Sequence, residues 1–164
     1  MLIGVALAGA GAQAAEPAPA VEKFGEWETV VATEAGKKVC YMGSIPDKAE
    51  GRYAARGKTA TLVTHRPAEQ AFDVVSIEAG YTYAKGTEVE VAIGDQKFQL
   101  FTDGGQAWAK DAKTDKTLVE AMRRGRSMTV KGTSSRGTVT EDGYSLAGFT
   151  AAYQAVAKAC DVKP

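Results

Sequence analysis

One histidine and two cysteines among 164 residues already limit the chemistry this chain can carry. His65 stands in VTHRPAE at 63–69. Acyl transfer would require a serine or cysteine nucleophile held against that imidazole. The chain has neither a G-x-S-x-G elbow nor an S-x-x-K pair. One imidazole and two thiols are also too few for a zinc site built on nitrogen and sulfur ligands. His65 is therefore expected to serve structure, and no catalytic, cofactor-binding or metal-binding residue is assigned.

GRYAARGKT at 51–59 imitates a phosphate-binding loop, but five residues separate Gly51 from Gly57 where the Walker pattern has four. It also precedes a strand pattern instead of opening a helix, so a flexible basic connection is expected there. Glu88 and Glu90 share one face of an alternating segment and read as its solvated side. Asp103, Asp111 and Asp115 lack the spacing of a calcium loop. Tyr81, Tyr83 and Trp108 lie near the glycine-rich stretches 80–86 and 102–106. Aromatic side chains beside flexible loops can form a ligand platform, and these three are the candidate partner-binding residues.

Twenty basic and twenty acidic residues give no net charge. A nucleic-acid partner is not expected, because its affinity rests on a basic excess that neutralises phosphates. Arg123, Arg124 and Arg126 form the densest basic spot, at the end of an expected helix, where cations complement the helix dipole. The opening MLIGVALAGAGAQAAEPAPA is small, apolar and uncharged before Glu16. It reads as a signal peptide over 1–14, with Ala12 and Ala14 at the −3 and −1 positions of its cleavage site. Residues 15–23 read as a Pro/Ala linker, and 24–162 as one domain. An exported chain enters an oxidising compartment, so Cys40 and Cys160 are expected to form one disulfide. Beyond the leader, no stretch approaches the roughly 18 consecutive apolar residues of a membrane span.

The elements that must position these residues are mostly short strands. TEVEVAI at 87–93 alternates strictly, with Thr87, Val89, Val91 and Ile93 inward. Gly94-Asp95 then turns the chain into KFQLFT at 96–101, which predicts a hairpin. Further strands are expected at 27–31, 39–45, 59–65, 71–78, 106–109, 127–132 and 137–141. A helix is expected over 114–124, stopped by Gly125. A second is expected over 149–160, whose stripe Phe149, Tyr153, Val156 and Cys160 carries a cysteine inward. The expected fold is all-β, a sandwich or partly closed barrel, with a short inserted helix and a disulfide-tethered C-terminal helix.

Longer stretches are more specific: FGEW at 24–27, KKVCYMGS at 37–44, VTHRPAE at 63–69, LVEAMRRG at 118–125 and MTVKGTSSRG at 128–137. With YSLAGFTAAYQAVAKAC at 144–160, they resemble the invasion-associated locus B family of exported bacterial proteins over residues 24–160. The resemblance implies a secreted or envelope-associated protein with no family active site to carry over. It also implies a link to host-cell invasion. Relatives carry a second cysteine pair where this chain reads FTDGGQAWAK at 101–110. The function expected is that of a non-enzymatic periplasmic or secreted binding protein, its partner a protein or a surface glycan, with host contact or an envelope-stress role. A periplasmic carboxylate-based hydrolase and a small-ligand or lipid carrier are the alternatives. Two close carboxyls in a cleft, one with a raised pKa, would mark the hydrolase; an enclosed apolar cavity would mark the carrier.

Overall fold

The computed structural model describes residues 14–53 and 55–163. The strands are β1 Ala20–Phe24, β2 Trp27–Glu34, β3 Lys37–Ser44, β4 Lys48–Glu50, β5 Ala60–Arg66 and β6 Ala71–Glu78. After them come β7 Glu88–Ile93, β8 Gln96–Asp103, β9 Gln106–Trp108, helix α1 Ala112–Arg124, β10 Ser127–Thr133, β11 Val139–Ser145 and helix α2 Phe149–Ala159. The expected leader falls outside the described residues, except for Ala14.

All the strands join one antiparallel sheet in the order β1-β2-β3-β5-β6-β9-β8-β7-β10-β11-β4. The expected sandwich is therefore corrected, because the described residues form no second sheet. The sheet is also open, since β1 and β4 end the order without pairing to each other. It nonetheless coils, bringing Glu26 N–H onto Ala147 O at 3.0 Å and Asp47 N–H onto Gly143 O at 2.9 Å. Alternation specifies which face of each strand is buried, but coiling and closure depend on how distant edges meet.

The 87–101 hairpin forms as β7 and β8, with Ile93 opposite Gln96 and Val89, Val91 and Ile93 in the core. The linker expectation is corrected at its end. Residues Ala20–Phe24 pair with β2 in the register Phe24↔Trp27 through Ala20↔Val31. A short polar strand beside a Pro/Ala run gives little local signal, and only the partner reveals it. The last strand runs to Ser145, beyond the expected end at 141.

α1 starts at Asp111, whose carboxylate accepts the Thr114 N–H at 2.7 Å. With this N-cap the helix begins two residues before the expected start at 114. Gly125 ends the helix in extended backbone, φ −81°, not in the left-handed conformation of a glycine cap. Space selects it instead: a Cβ there would meet Ile93 Cγ2 at 2.6 Å and Leu146 Cδ1 at 2.9 Å. Arg123 and Arg124 pair with Glu120 at 3.0 and 3.6 Å, which accounts for most of the basic spot within the helix itself.

The α2 stripe lies inward as its spacing requires, with Phe149, Tyr153, Val156 and Cys160 all buried. Phe149 meets the Trp27 ring edge-on at 4.8 Å. Cys160 bonds Cys40 of β3, 120 residues away, with a Cα–Cα distance of 6.1 Å. Closing so long a loop restricts the unfolded chain by about 4–5 kcal/mol in the chain-entropy account. Among the described residues, no helix is long and apolar enough to cross a membrane.

Candidate functional site

The loop that imitates a phosphate cradle turns out to be one wall of a surface groove. Its anchor is Arg56. The guanidinium reaches Asp142 of β11 through two hydrogen bonds, 2.7 and 2.5 Å, while its Nε donates to Ala79 O at 2.7 Å. Both side chains are almost fully buried, at 5% and 3% exposure. The cation also lies between two rings, 5.3 Å from the Tyr53 centroid and 5.1 Å from that of Tyr81. Burial alone would lower the Arg56 pKa, but the hydrogen bonds and charge of Asp142 outweigh it and the net shift is upward. Each nitrogen of this permanent cation donates one hydrogen bond, and the guanidinium acts as a rivet.

Backbone contacts dock the same loop onto the segment after β6. Gly57 N–H donates to Gly80 O at 2.8 Å. Gly80 has φ +74°, and a Cβ on it would stand 2.5 Å from Gly57 O. No side chain fits this approach. From below, Tyr83 N–H donates to Gly104 O and Ala79 N–H to Gly105 O, so the two glycine-rich stretches singled out in the sequence are bonded to each other. The Tyr81 hydroxyl shares a 2.6 Å hydrogen bond with Thr140 Oγ1, and its ring meets Tyr83 edge-on at 5.3 Å. Burial raises the Tyr81 pKa, against the Thr140 hydrogen bond and the Arg56 charge, and burial also raises that of Tyr83. Gly132 makes room for the pair, since a Cβ there would lie 2.7 Å from Tyr83 Cε1.

The groove has a volume of about 480 Å³. It is lined by Arg52, Tyr53 and Ala55, by Gly80, Tyr81 and Thr82 after β6, and by Ser134, Ser135, Arg136, Thr138 and Thr140 at the β10–β11 connection. Among the described residues, no carboxylate lines it. Ser134 Oγ accepts the N–H groups of Arg136 and Thr138 at 3.3 and 3.1 Å, which shapes the tight turn that carries Arg136.

Tyr81 therefore lies in the groove, while Tyr83 is buried behind it at 4% exposure and supports the wall instead of facing a ligand. Trp108 is not brought to them: it sits half-buried in β9, opposite Phe101 of β8. Reading the sequence missed Arg52, Arg56 and Arg136. Their signal lay in GRYAARGKT and TSSRG, but Asp142 is the residue that makes sense of Arg56, and it is 86 positions away.

A second cluster lies beside the disulfide, where His65 is the cross-strand neighbour of Cys40. His65 is fully buried. Its Nδ1 accepts the Asp73 N–H at 3.1 Å, which places the ring proton on Nε2, a buried atom with no partner among the described residues. Burial lowers the His65 pKa, opposed by the Asp73 carboxylate. Tyr153 donates to Asp73 Oδ1 at 2.7 Å. Asp115 accepts the Val75 N–H at 2.9 Å, and burial pushes its pKa up to about 6. This one raised carboxyl is not among the residues lining the neighbouring groove of Asp73, Glu120 and Tyr153, so the hydrolase arrangement is not assembled there. The space a carrier would need is filled by side chains such as Trp27, Met42, Leu100, Leu118 and Met128. Among the described residues, no group of three or more His, Cys, Asp and Glu is placed to hold a metal ion.

A single coiled sheet, a disulfide-tethered helix and an open polar groove define a disulfide-stapled all-β scaffold. Residues 27–157 match the family model described as "Invasion associated locus B (IalB) protein", and the chain belongs to that family. It is similar in fold to the crystal structure of invasion associated protein B from Bartonella henselae, with a TM-score of 0.60 and 19% identity. That similarity covers 87% of this chain and 97% of the Bartonella chain. No curated protein matches the sequence.

Proposed function

We propose that this protein is an exported, non-enzymatic binding protein of the bacterial envelope or its surroundings, and that it contacts its partner through the groove between Arg52 and Arg136. The observation that carries this reading is the rivet beneath the groove. Burying a paired charge is costly and rarely needed for stability alone. Here it holds an open, carboxylate-free surface in one shape, which lowers the entropy lost on binding. The disulfide fits an oxidising compartment. The family's association with invasion suggests that the partner can lie on a host cell, and an envelope partner is the other setting.

A photo-crosslinking side chain at Ser135, on the exposed rim, tests this in cells carrying the native leader. A reproducible capture at Ser135, absent when the crosslinker replaces Gln99 on β8, is the expected result. Equal capture at both positions, or at Gln99 alone, would remove the groove from the function.

A further inference from the structure

We propose that the groove is a site for an acidic saccharide, a pyranose bearing a carboxylate, which deepens the binding reading and rests on it. Charge comes first. Arg52 and Arg136 are exposed at the groove, and neither forms an ion pair among the described residues. Arg56 is already neutralised by Asp142, so two uncompensated guanidiniums remain on a surface with no lining carboxylate. A guanidinium fork matches a planar carboxylate with two parallel hydrogen bonds.

The remaining lining separates a sugar from a bare anion. Tyr53 lines the groove, is 39% exposed and has the Arg56 guanidinium over its ring. Its apolar surface suits the C–H face of a pyranose. The hydroxyls of Thr82, Ser135 and Thr138 offer both donors and acceptors, as a polyol requires. The volume of about 480 Å³ falls within the range of small-ligand sites and far exceeds one phosphate. An acidic peptide side chain would offer the same carboxylate but not the array of hydroxyls that Thr82, Ser135 and Thr138 can pair with.

Calorimetric titration of the full mature protein with sialyllactose and with a glucuronate-containing hyaluronan tetrasaccharide tests the proposal. Lactose and inorganic phosphate are the comparison probes. At least one acidic saccharide is expected to bind about tenfold or more tightly than either comparison probe. Which one does so separates a sialylated host surface from a uronate-bearing polysaccharide. Arg52→Ala and Arg136→Ala should each weaken that binding about tenfold, with melting unchanged because both side chains are exposed. Arg136→Lys should recover part of the loss. Equal binding of lactose, equal binding of phosphate, or undiminished binding by both alanine variants would overturn the proposal. If no saccharide binds while Ser135 still captures a partner in cells, the saccharide class falls and the groove stands. If both experiments fail, the binding reading falls with it.

Discussion

The two buried polar clusters of this molecule solve opposite problems. Around Arg56, each of the three guanidinium nitrogens finds an acceptor: Asp142 takes two hydrogen bonds, Ala79 O takes a third, and two tyrosine rings flank the cation. Around His65, the pairing is incomplete. Asp73 N–H and Tyr153 are satisfied, but the His65 Nε2 proton has no partner, and Asp115 is held by one backbone N–H against a burial penalty. The first cluster fixes a surface. The second lies under α1 and α2 beside the disulfide, where a covalent bond supplies the constraint that hydrogen bonding leaves incomplete. The guanidinium of Arg56 is held without the staple, although the nearby Tyr144 hydroxyl and Thr61 Oγ1 have no hydrogen-bond partner among the described residues.

The sharpest way to break this contrast is to remove one half of the rivet. Asp142→Ala leaves the Arg56 charge buried and unpaired, and should cost about 3–5 kcal/mol in urea unfolding. Replacing both partners by apolar residues should cost much less. A single-site loss below about 1 kcal/mol would mean that the guanidinium escapes to water. At the other end, Cys40→Ala combined with Cys160→Ala should cost about 2–4 kcal/mol. The His65 region should then show faster amide exchange than the groove. Uniform exchange across both regions would contradict the division of labour.

Smaller effects sharpen the second cluster through pH. The Asp115 pKa is raised to about 6. Its contribution is therefore fully present below its unfolded pKa near 3.8 and is lost as pH rises through about 6. Asp115→Asn keeps an acceptor for Val75 N–H and should gain on the order of 2 kcal/mol at neutral pH. That gain should vanish in acid, and a gain that persists there would place its cause elsewhere. His65 carries the opposite sign. Its folded pKa lies below 6.5, so its contribution is present above 6.5 and is lost as pH falls through the lowered value. In the Asp115→Asn background the Asp115 compensation is gone, and stability should fall more steeply on acidification below 6.5 than in the parent. Imidazole NMR should show a neutral ring with its proton on Nε2 at pH 6.5. A protonated ring at that pH would overturn the assignment.

Local patterns made much of this molecule legible. Strict alternation placed the β7–β8 hairpin, and the spacing of Phe149, Tyr153, Val156 and Cys160 placed the cysteine on the buried side of α2. Expected compartment chemistry then joined it to Cys40. These features depend on neighbours within a few residues or on the only other thiol in the chain. The β1 strand was hidden because its side chains are mostly exposed and its ladder is supplied entirely by β2. The candidate site was half legible. Tyr81 lies in the groove and Tyr83 is its support, yet Trp108 belongs to another part of the sheet.

By itself, the amino-acid sequence determined the strand-rich class, the two helices, the disulfide pair and the family resemblance. Those follow from side-chain periodicity and residue type. Tertiary structure alone decided that the sheet is single and open, that Arg56 spends its charge on Asp142, and that Arg52 and Arg136 line one groove. Such outcomes depend on which distant segments meet when the sheet coils. Periodicity records the burial of a face; it carries no record of the partner across it.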